Sequence, residues 1–545
     1  MKKFVYRTLF FLSAGMFSCQ DFLDTTPKDF ISPVNYFRNE QDINTILNGV
    51  YDPLGRLYSR LLWFEADVAD QMFDNRSWVQ VDLSFNSFDA SDTKVTSLWD
   101  NLYDGINRAN VLLANLDKAD MSAEKKKVVR GEAKFLRAYY YFLLVTHWGD
   151  VPFKTEPSAS VVEVNIPRTP SKVIYDFIAK EMEEAEGMVN PITAYTYNSR
   201  VTKSVVQGIL ARVYLKMAGA PLKDVSKYAD ALKWALKVRD NGAGHSLNPS
   251  YANVFVNHAR DIYDLREGIW EVEFNKGSSG RVDEEGNLGN TNGLGTTNEA
   301  IGYSYSSINV LKSHFDLYQP ALQVDSINAN GTINAFKILY SPDTRRDWNI
   351  APYTYVNNSG TAKRRYTTAQ IYNRKNAKWR REYETALPKS VNTTSINFPI
   401  LRYADVLLMI AEAENEVNGP TSLAHEAINL VRRRAYGKLA PNASKPEEYD
   451  LKGLDKTDMK LAIKDERSKE LFSEGLRKFD LVRWGDYLVR MRSLASEVAA
   501  DNTDATTKAS AIKTANNTSE RNLLLPIPLR EMSLNSSITQ NNPGW

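Results

Sequence analysis

Apolar positions in this chain recur at spacings of three and four over long stretches. From Val129 they run through Ala133, Leu136, Tyr140, Leu143 and His147, one stripe of a helix that stops at Gly149 and Pro152. "RYADVLLMIAEAENEVNG" repeats the pattern with Tyr403, Leu407, Ile410, Ala413 and Val417, and ends at Gly419-Pro420. The stretches "SKVIYDFIAKEMEEAEGM", "TKSVVQGILARVYLKMAG", "YADALKWALKVRDNG" and "AHEAINLVRRRAYG" are amphipathic in the same way. Helix is the dominant expectation.

Residues 208–242 and 406–437 each read as helix, small-residue turn and second helix ending near glycine. This resembles tetratricopeptide-type hairpins, in which small residues let neighbouring helices approach closely. The predicted fold is mostly α, a scaffold of tetratricopeptide-like helical hairpins, with a loop-rich insertion containing short strands. The insertion falls between about 245 and 400. There "GIWEVEF" alternates like a strand, and Lys276 to Gly302 holds seven glycines and four asparagines, too many to pack a helix. Loops on a rigid scaffold are favoured places for binding residues.

The chain has 545 residues, 68 Lys plus Arg against 66 Asp plus Glu, and a formal net charge of +2. That balance supplies no field for gathering nucleic acid, so none is expected as a partner. The five histidines, at 147, 245, 258, 314 and 425, show no metal-ligand spacing, and no metal site or cofactor is expected. No phosphate-binding glycine loop occurs. "GLGTTN" at Gly293 lacks a third glycine, and "GSSG" at Gly277 is not a nucleophile elbow. In "ERSKELFSEGLRKFDLVRWG", Glu466, Glu470 and Glu474 recur every four residues and so share one helix face. Glycosidase carboxylates flank the scissile bond from different elements, whereas stacked neighbours point the same way. Arg467, Arg477 and Arg483 are spaced to neutralise them, so a structural ion-pair ladder is expected and no catalytic residue is assigned.

Cys19 is the only cysteine, which excludes an internal disulfide. Ahead of it stand Lys2, Lys3 and Arg7, the apolar run "TLFFLSAGMF" and Ser18. These have the order of a secretory signal, too short to span a bilayer. A cysteine directly after such a segment resembles a lipobox, with Met16 and Phe17 where Leu and a small residue are more usual. Cys19 is therefore the expected lipidation site, acyl chains on it supplying a membrane tether.

Four ordered segments carry a family signature: "GEAKFLRAYYYFLLVTHWGDVPF", "RYADVLLMIAEAEN", "ERSKELFSEGLRKFDLVRWG" and the terminal "LLPIPLREMSLNSSITQNNPGW". They resemble the SusD/RagB family, as does "CQDFLDTTP" after the signal. The resemblance implies a lipoprotein signal peptide at 1–18, an N-terminal SusD-like helical region at 19–265, and a C-terminal RagB/SusD region at 266–545 with a variable insertion at about 276–395. It implies a non-enzymatic lipoprotein anchored by lipid in the outer membrane at the cell surface, with Asp21 and Asp24 as an acidic flank. It further implies capture of an oligosaccharide or peptide ligand and its delivery, as a lid, to a SusC-type TonB-dependent outer-membrane transporter. Two other classes remain open on the residues: a surface glycan hydrolase, and a tetratricopeptide-type scaffold for protein partners.

Sugars present apolar C–H faces and rings of hydroxyls, so a site for them needs exposed aromatics beside forked polar groups. "DQMFDNRSWVQVD" brings Asp74, Asn75, Arg76 and Trp78 together without helical periodicity, at a place resembling a ligand-contacting loop of the family. Tyr303 and Tyr305, after the glycine-rich stretch, are expected to supply a facing wall. Trp99 shares helical spacing with Tyr103 and Ile106 and is expected in the core.

Overall fold

The computed structural model describes residues 36–61, 69–158, 165–275, 285–318, 322–327 and 332–545. The signal segment 1–18, Cys19, Asp21 and Asp24 lie outside the described residues. Helices carry the frame: α1 (Glu40–Arg56), α2 (Thr93–Asn115), α3 (Ala123–Trp148), α4 (Ser171–Glu186), α5 (Lys203–Ala218) and α6 (Lys227–Asp240). After the short α7 (Thr344–Asn349) come α8 (Tyr403–Asn418), α9 (Ser422–Ala435), α10 (Lys456–Glu470), α11 (Arg477–Trp484) and, further on, α12 (Ala505–Asn517). Each helix from α1 to α6 packs on the next, α6 packs on α8, and α8 packs on α9 and α10. Both expected hairpins, α5 with α6 and α8 with α9, are present.

The ends follow from local chemistry. Asp92 caps α2 by accepting from the amides of Lys94 and Val95, and Thr421 caps α9 through the amide of Ala424. α3 ends at Gly149 (φ 70°) and α8 at Gly419 (φ 85°), left-handed positions that cost a glycine little. The stripe read for α3 understates its burial. From Ala133 to Val145 every residue except Lys134 is buried, so this helix is central and not amphipathic. Its polar tips are met inside: Tyr140 Oη donates to Val50 O at 2.6 Å and Trp148 Nε1 to Pro526 O at 2.8 Å. Trp99 is buried against Tyr103 and Trp148, as its spacing predicts, whereas His147, expected in the core, is only half-buried.

One apolar core runs without a break from Phe37 to Ile538. The strands are short: β1 (Met72–Asp74), β2 (Gly268–Val272), β3 (Ile308–Val310) and β4 (Phe398–Arg402), with β1 antiparallel to β3 and β2 antiparallel to β4. Further pairs join 322–327 to 333–340 and 353–355 to 363–365. β2 alternates in sequence yet is buried on both faces. Its Glu271 meets His258 Nδ1 at 2.9 Å and accepts from Asn397 Nδ2 at 3.1 Å, which is how an inward carboxylate is tolerated.

Much of the described part of the glycine-rich stretch is withdrawn from solvent. From Glu285 to Thr296 all residues are buried except the half-buried Thr291 and Gly295. Gly289 turns at φ 79° against the Trp379 carbonyl, where an added Cβ would come within 2.7 Å. Asparagine side chains satisfy the backbone there: Asn292 Oδ1 accepts from the Gly289 amide at 2.8 Å, and Asn290 Nδ2 donates to Val391 O at 2.7 Å.

Candidate functional site

The two segments singled out by sequence meet through the β1–β3 pair, in which Asp74 lies opposite Ile308. Just beyond it, the Asn75 amide donates to Ser307 O at 2.8 Å, and Asn75 Nδ2 donates to Ser306 O at 3.1 Å and Asn309 Oδ1 at 2.7 Å. Ser306 has a left-handed backbone, φ 54°, at the bend between Tyr305 and the strand. Asn75 is thus a clamp between the loops, with both side-chain N–H donors used.

Asp74 is buried and turned inward. Its Oδ1 accepts from the Arg76 amide at 2.9 Å, and its carboxylate grips the Arg76 guanidinium through Nε and Nη2. Ser84 Oγ also donates to Asp74 Oδ2, at 3.3 Å. This carboxylate is engaged in building the turn. Arg76 keeps Nη1 out of these bonds, on a side chain 23% exposed. The loop is pinned from the far side as well, because Lys513 Nζ on α12 donates to Val79 O. On this fixed turn Trp78 is 75% exposed. It anchors nothing, and its indole faces solvent.

Tyr305 is 56% exposed and Tyr303 half-buried, their rings 5.0 Å apart and edge to face. Behind them the Tyr305 amide donates to Asn290 O at 2.8 Å, and Arg381 Nη1 donates to Tyr303 O at 2.6 Å. Two neighbours carried no signal in the sequence. Asn392 Oδ1 accepts from Tyr305 Oη at 3.4 Å. Lys375 Nζ donates to Ser306 O at 3.2 Å and Asn309 Oδ1 at 2.6 Å, beneath the joint. Burial lowers the Lys375 pKa to about 8, opposed by the nearby Asp74 charge. The result is a surface with two exposed aromatic residues, Trp78 and Tyr305, on loops locked together from below.

Residues 266–545 match the model described as the SusD family, and residues 21–215 match one described as "Starch-binding associating with outer membrane". The chain belongs to the SusD family. Among its relatives, "SusD-like protein P25" of Formosa agariphila is 28% identical, over 98% of this chain and 97% of its own. A SusD homolog from Bacteroides thetaiotaomicron VPI-5482 superposes with a TM-score of 0.80 at 28% identity, covering 94% of this chain and 98% of that one. A "Laminarin binding SusD-like protein" shares the fold with a TM-score of 0.68 at 23% identity, over 93% of this chain and all of that one. "Surface glycan-binding protein A from Bacteroides fluxus" shares it at 0.67 and 21%, over the same shares of the two chains.

In this SusD-family chain the acidic triad does not form one helical ladder. α10 ends at Glu470, and Glu474 lies beyond a turn in which Ser473 has φ 56°. The partners come from other elements. Glu466 pairs with Arg345 at 2.7 Å and Arg432 at 3.1 Å. Glu470 pairs with Arg434 at 2.6 Å, Arg402 at 3.1 Å and Arg345 at 3.2 Å. Glu474 pairs with Arg402 at 2.8 Å and with Lys378. Arg477 turns to Asp70 at 2.7 Å and Arg483 to Asp480 at 2.8 Å, neither to the glutamates of the triad. All three glutamates are buried. Despite the desolvation that opposes ionisation, the surrounding guanidinium groups hold Glu470 down at about 2 and Glu466 lower still. Carboxylates so held stay charged and paired, the state of structural groups and not of a general acid. Among the described residues no group of three or more His, Cys, Asp or Glu could hold a metal ion, and no helix is long and apolar enough to cross a membrane.

Proposed function

We propose that this chain is a non-catalytic surface lipoprotein that captures glycan and hands it to a SusC-type TonB-dependent transporter. The observation that carries the ligand side of this reading is the exposed pair Trp78 and Tyr305 on mutually clamped loops. A sugar ring stacks on such aromatics through its C–H face, and fixed loops spare the ordering cost of binding. Arg76 Nη1 and the Asn392 amide stand ready to meet hydroxyls, and Tyr303 braces Tyr305. The names of relatives that bind laminarin or surface glycans favour glycan over peptide. Asp74 and Asn75 serve this site by shaping it.

Calorimetry of the protein beginning after Cys19 against laminarin and a panel of other polysaccharides tests the ligand class. Binding without shortening of the glycan supports the reading; turnover by the pure protein sinks it. The anchor is tested by Cys19→Ala, expected to abolish lipid labelling and to release the protein from the membrane fraction. Delivery is tested by affinity purification from outer membranes, which should bring down a TonB-dependent barrel.

A further inference from the structure

A second cavity lies inside the helical frame and shares no residue with the aromatic surface. It measures about 80 Å³, and its walls include Phe142, Phe398, Ile400, Phe479 and Leu525. The partly exposed Lys478 and Leu523 also line it, on its solvent side. A water needs roughly 10–15 Å³ measured this way, so the space exceeds that of a single ion or water.

Two cationic side chains of α5, one turn apart, reach this space: Arg212 and Lys216. Lys216 is 2% exposed, yet no carboxylate, carbonyl or hydroxyl among the described residues accepts from its Nζ. Its Nζ lies over the Phe479 ring, 5.5 Å from the ring centre. Arg212 donates through Nη2 to Ile400 O at 2.9 Å and Asp405 Oδ2 at 2.7 Å, but its buried Nε has no partner. Glu474 also borders the cavity, with both its oxygens taken by Lys378 and Arg402. The space therefore offers unspent cationic donors and no free acceptor carboxylate.

We propose that this cavity binds a small organic carboxylate with a short apolar body, its carboxylate meeting Lys216 Nζ and Arg212 Nε and its body filling the apolar walls. A buried ammonium without a counter-charge is costly, and an anion removes that cost while satisfying the orphaned guanidinium donor. A halide would meet the charge but leave the apolar space empty. Burial and the nearby Arg483 lower the Lys216 pKa to about 7, with Asp480 opposing, and a carboxylate bound beside it would favour the charged form.

Hexanoate is the probe, titrated calorimetrically into the whole protein beside hexanol, hexylammonium and chloride. The proposal expects hexanoate to bind at least about tenfold more tightly than hexanol or hexylammonium, and Lys216→Met to lose about tenfold for hexanoate. The thermal midpoint of the variant should not fall. Should Lys216→Met fold poorly, crystals of the unaltered protein soaked in 6-bromohexanoate decide: anomalous bromine density within the cavity supports the site. Equal affinity for hexanol, saturation by chloride alone, or bromine found only elsewhere overturns it.

Discussion

The helical frame and the insertion are held by different forces. In the frame, α3 and α5 are sheathed by other helices, and side chains such as Phe135, Leu136, Ile209 and Leu210 are wholly withdrawn from water. Each large apolar side chain so buried contributes roughly 1.5–3 kcal/mol. The insertion lends Leu288, Ile308, Phe315, Trp348 and Trp379 to the same core and has a small apolar cluster of its own around Leu294, Ala351, Tyr355 and Ala377. Its outer loops are tied further by side chains bonded to carbonyls: Arg381 to Tyr303 O, Ser390 O and Thr393 O, and Lys389 to Ala300 O and Ile301 O. Between the two regions sits the carboxylate network, where Arg345 and Lys378 of the insertion plug into Glu466, Glu470 and Glu474 of the frame. Packing gives a body whose shape is set by volume; polar ties let a surface be shaped one contact at a time.

The sharpest way to break that arrangement is at the junction. Glu470→Gln leaves Arg345, Arg402 and Arg434 short of a buried counter-charge and should cost about 3–5 kcal/mol in chemical denaturation. Glycan affinity of the molecules still folded should be unchanged. The same network predicts acid sensitivity with a definite window. Glu470, and Glu412 in its separate buried pair with Arg483, have folded pKa values depressed from 4.5 to about 2, so their stabilisation is present above about pH 4.5 and is lost as pH falls toward 2. Denaturant midpoints should be flat from neutral to pH 5 and drop below it.

Within the frame, Gly105→Ala drives a Cβ to 2.5 Å from the buried Tyr140 ring. Overpacking of this kind should cost about 1–3 kcal/mol, read as a lowered thermal midpoint, with ligand affinity retained. In the insertion, Arg381→Met strands the buried Glu384 carboxylate and the carbonyls of Tyr303, Ser390 and Thr393 for at least about 1–3 kcal/mol, but here glycan binding should fall too, because Tyr303 and Tyr305 lose their support. If affinity survives Arg381→Met, the polar ties do not shape the surface. Smallest in stability is Trp78→Ala. An aromatic platform is worth about 1 kcal/mol beyond its area, so binding should weaken several-fold with no shift of the thermal midpoint.

The same contrast explains what could be read from the chain. Helices governed by packing write a periodic pattern, and α3 and α8 stop at the glycines where that pattern stops. The pattern misled where spacing outlived structure: Glu474 keeps its four-residue interval from Glu470, but the helix ends between them. The loop at 285–296 was legible as non-helical but its burial was not, because nothing local reveals that its polar groups are satisfied inside. Of the site, Trp78 and Tyr305 were legible as aromatics outside any periodic stretch. The inward turn of Asp74 was not, because it depends on Arg76 and Ser84 closing over it. Lys375 and Asn392 reach the site only through tertiary contacts and carry no motif.

The clamp between Asn75 and Asn309 joins residues 234 positions apart in the chain. A contact of that separation bears the entropy of closing a long loop and forms only after the elements between have taken their places. The aromatic surface is consequently absent from any partly folded chain, however well its helices have formed. On the proposed function, carbohydrate binding would report completed folding, and during refolding from denaturant it should recover after helical circular dichroism does. A peptide covering 69–90 alone, Trp78 included, should bind no glycan.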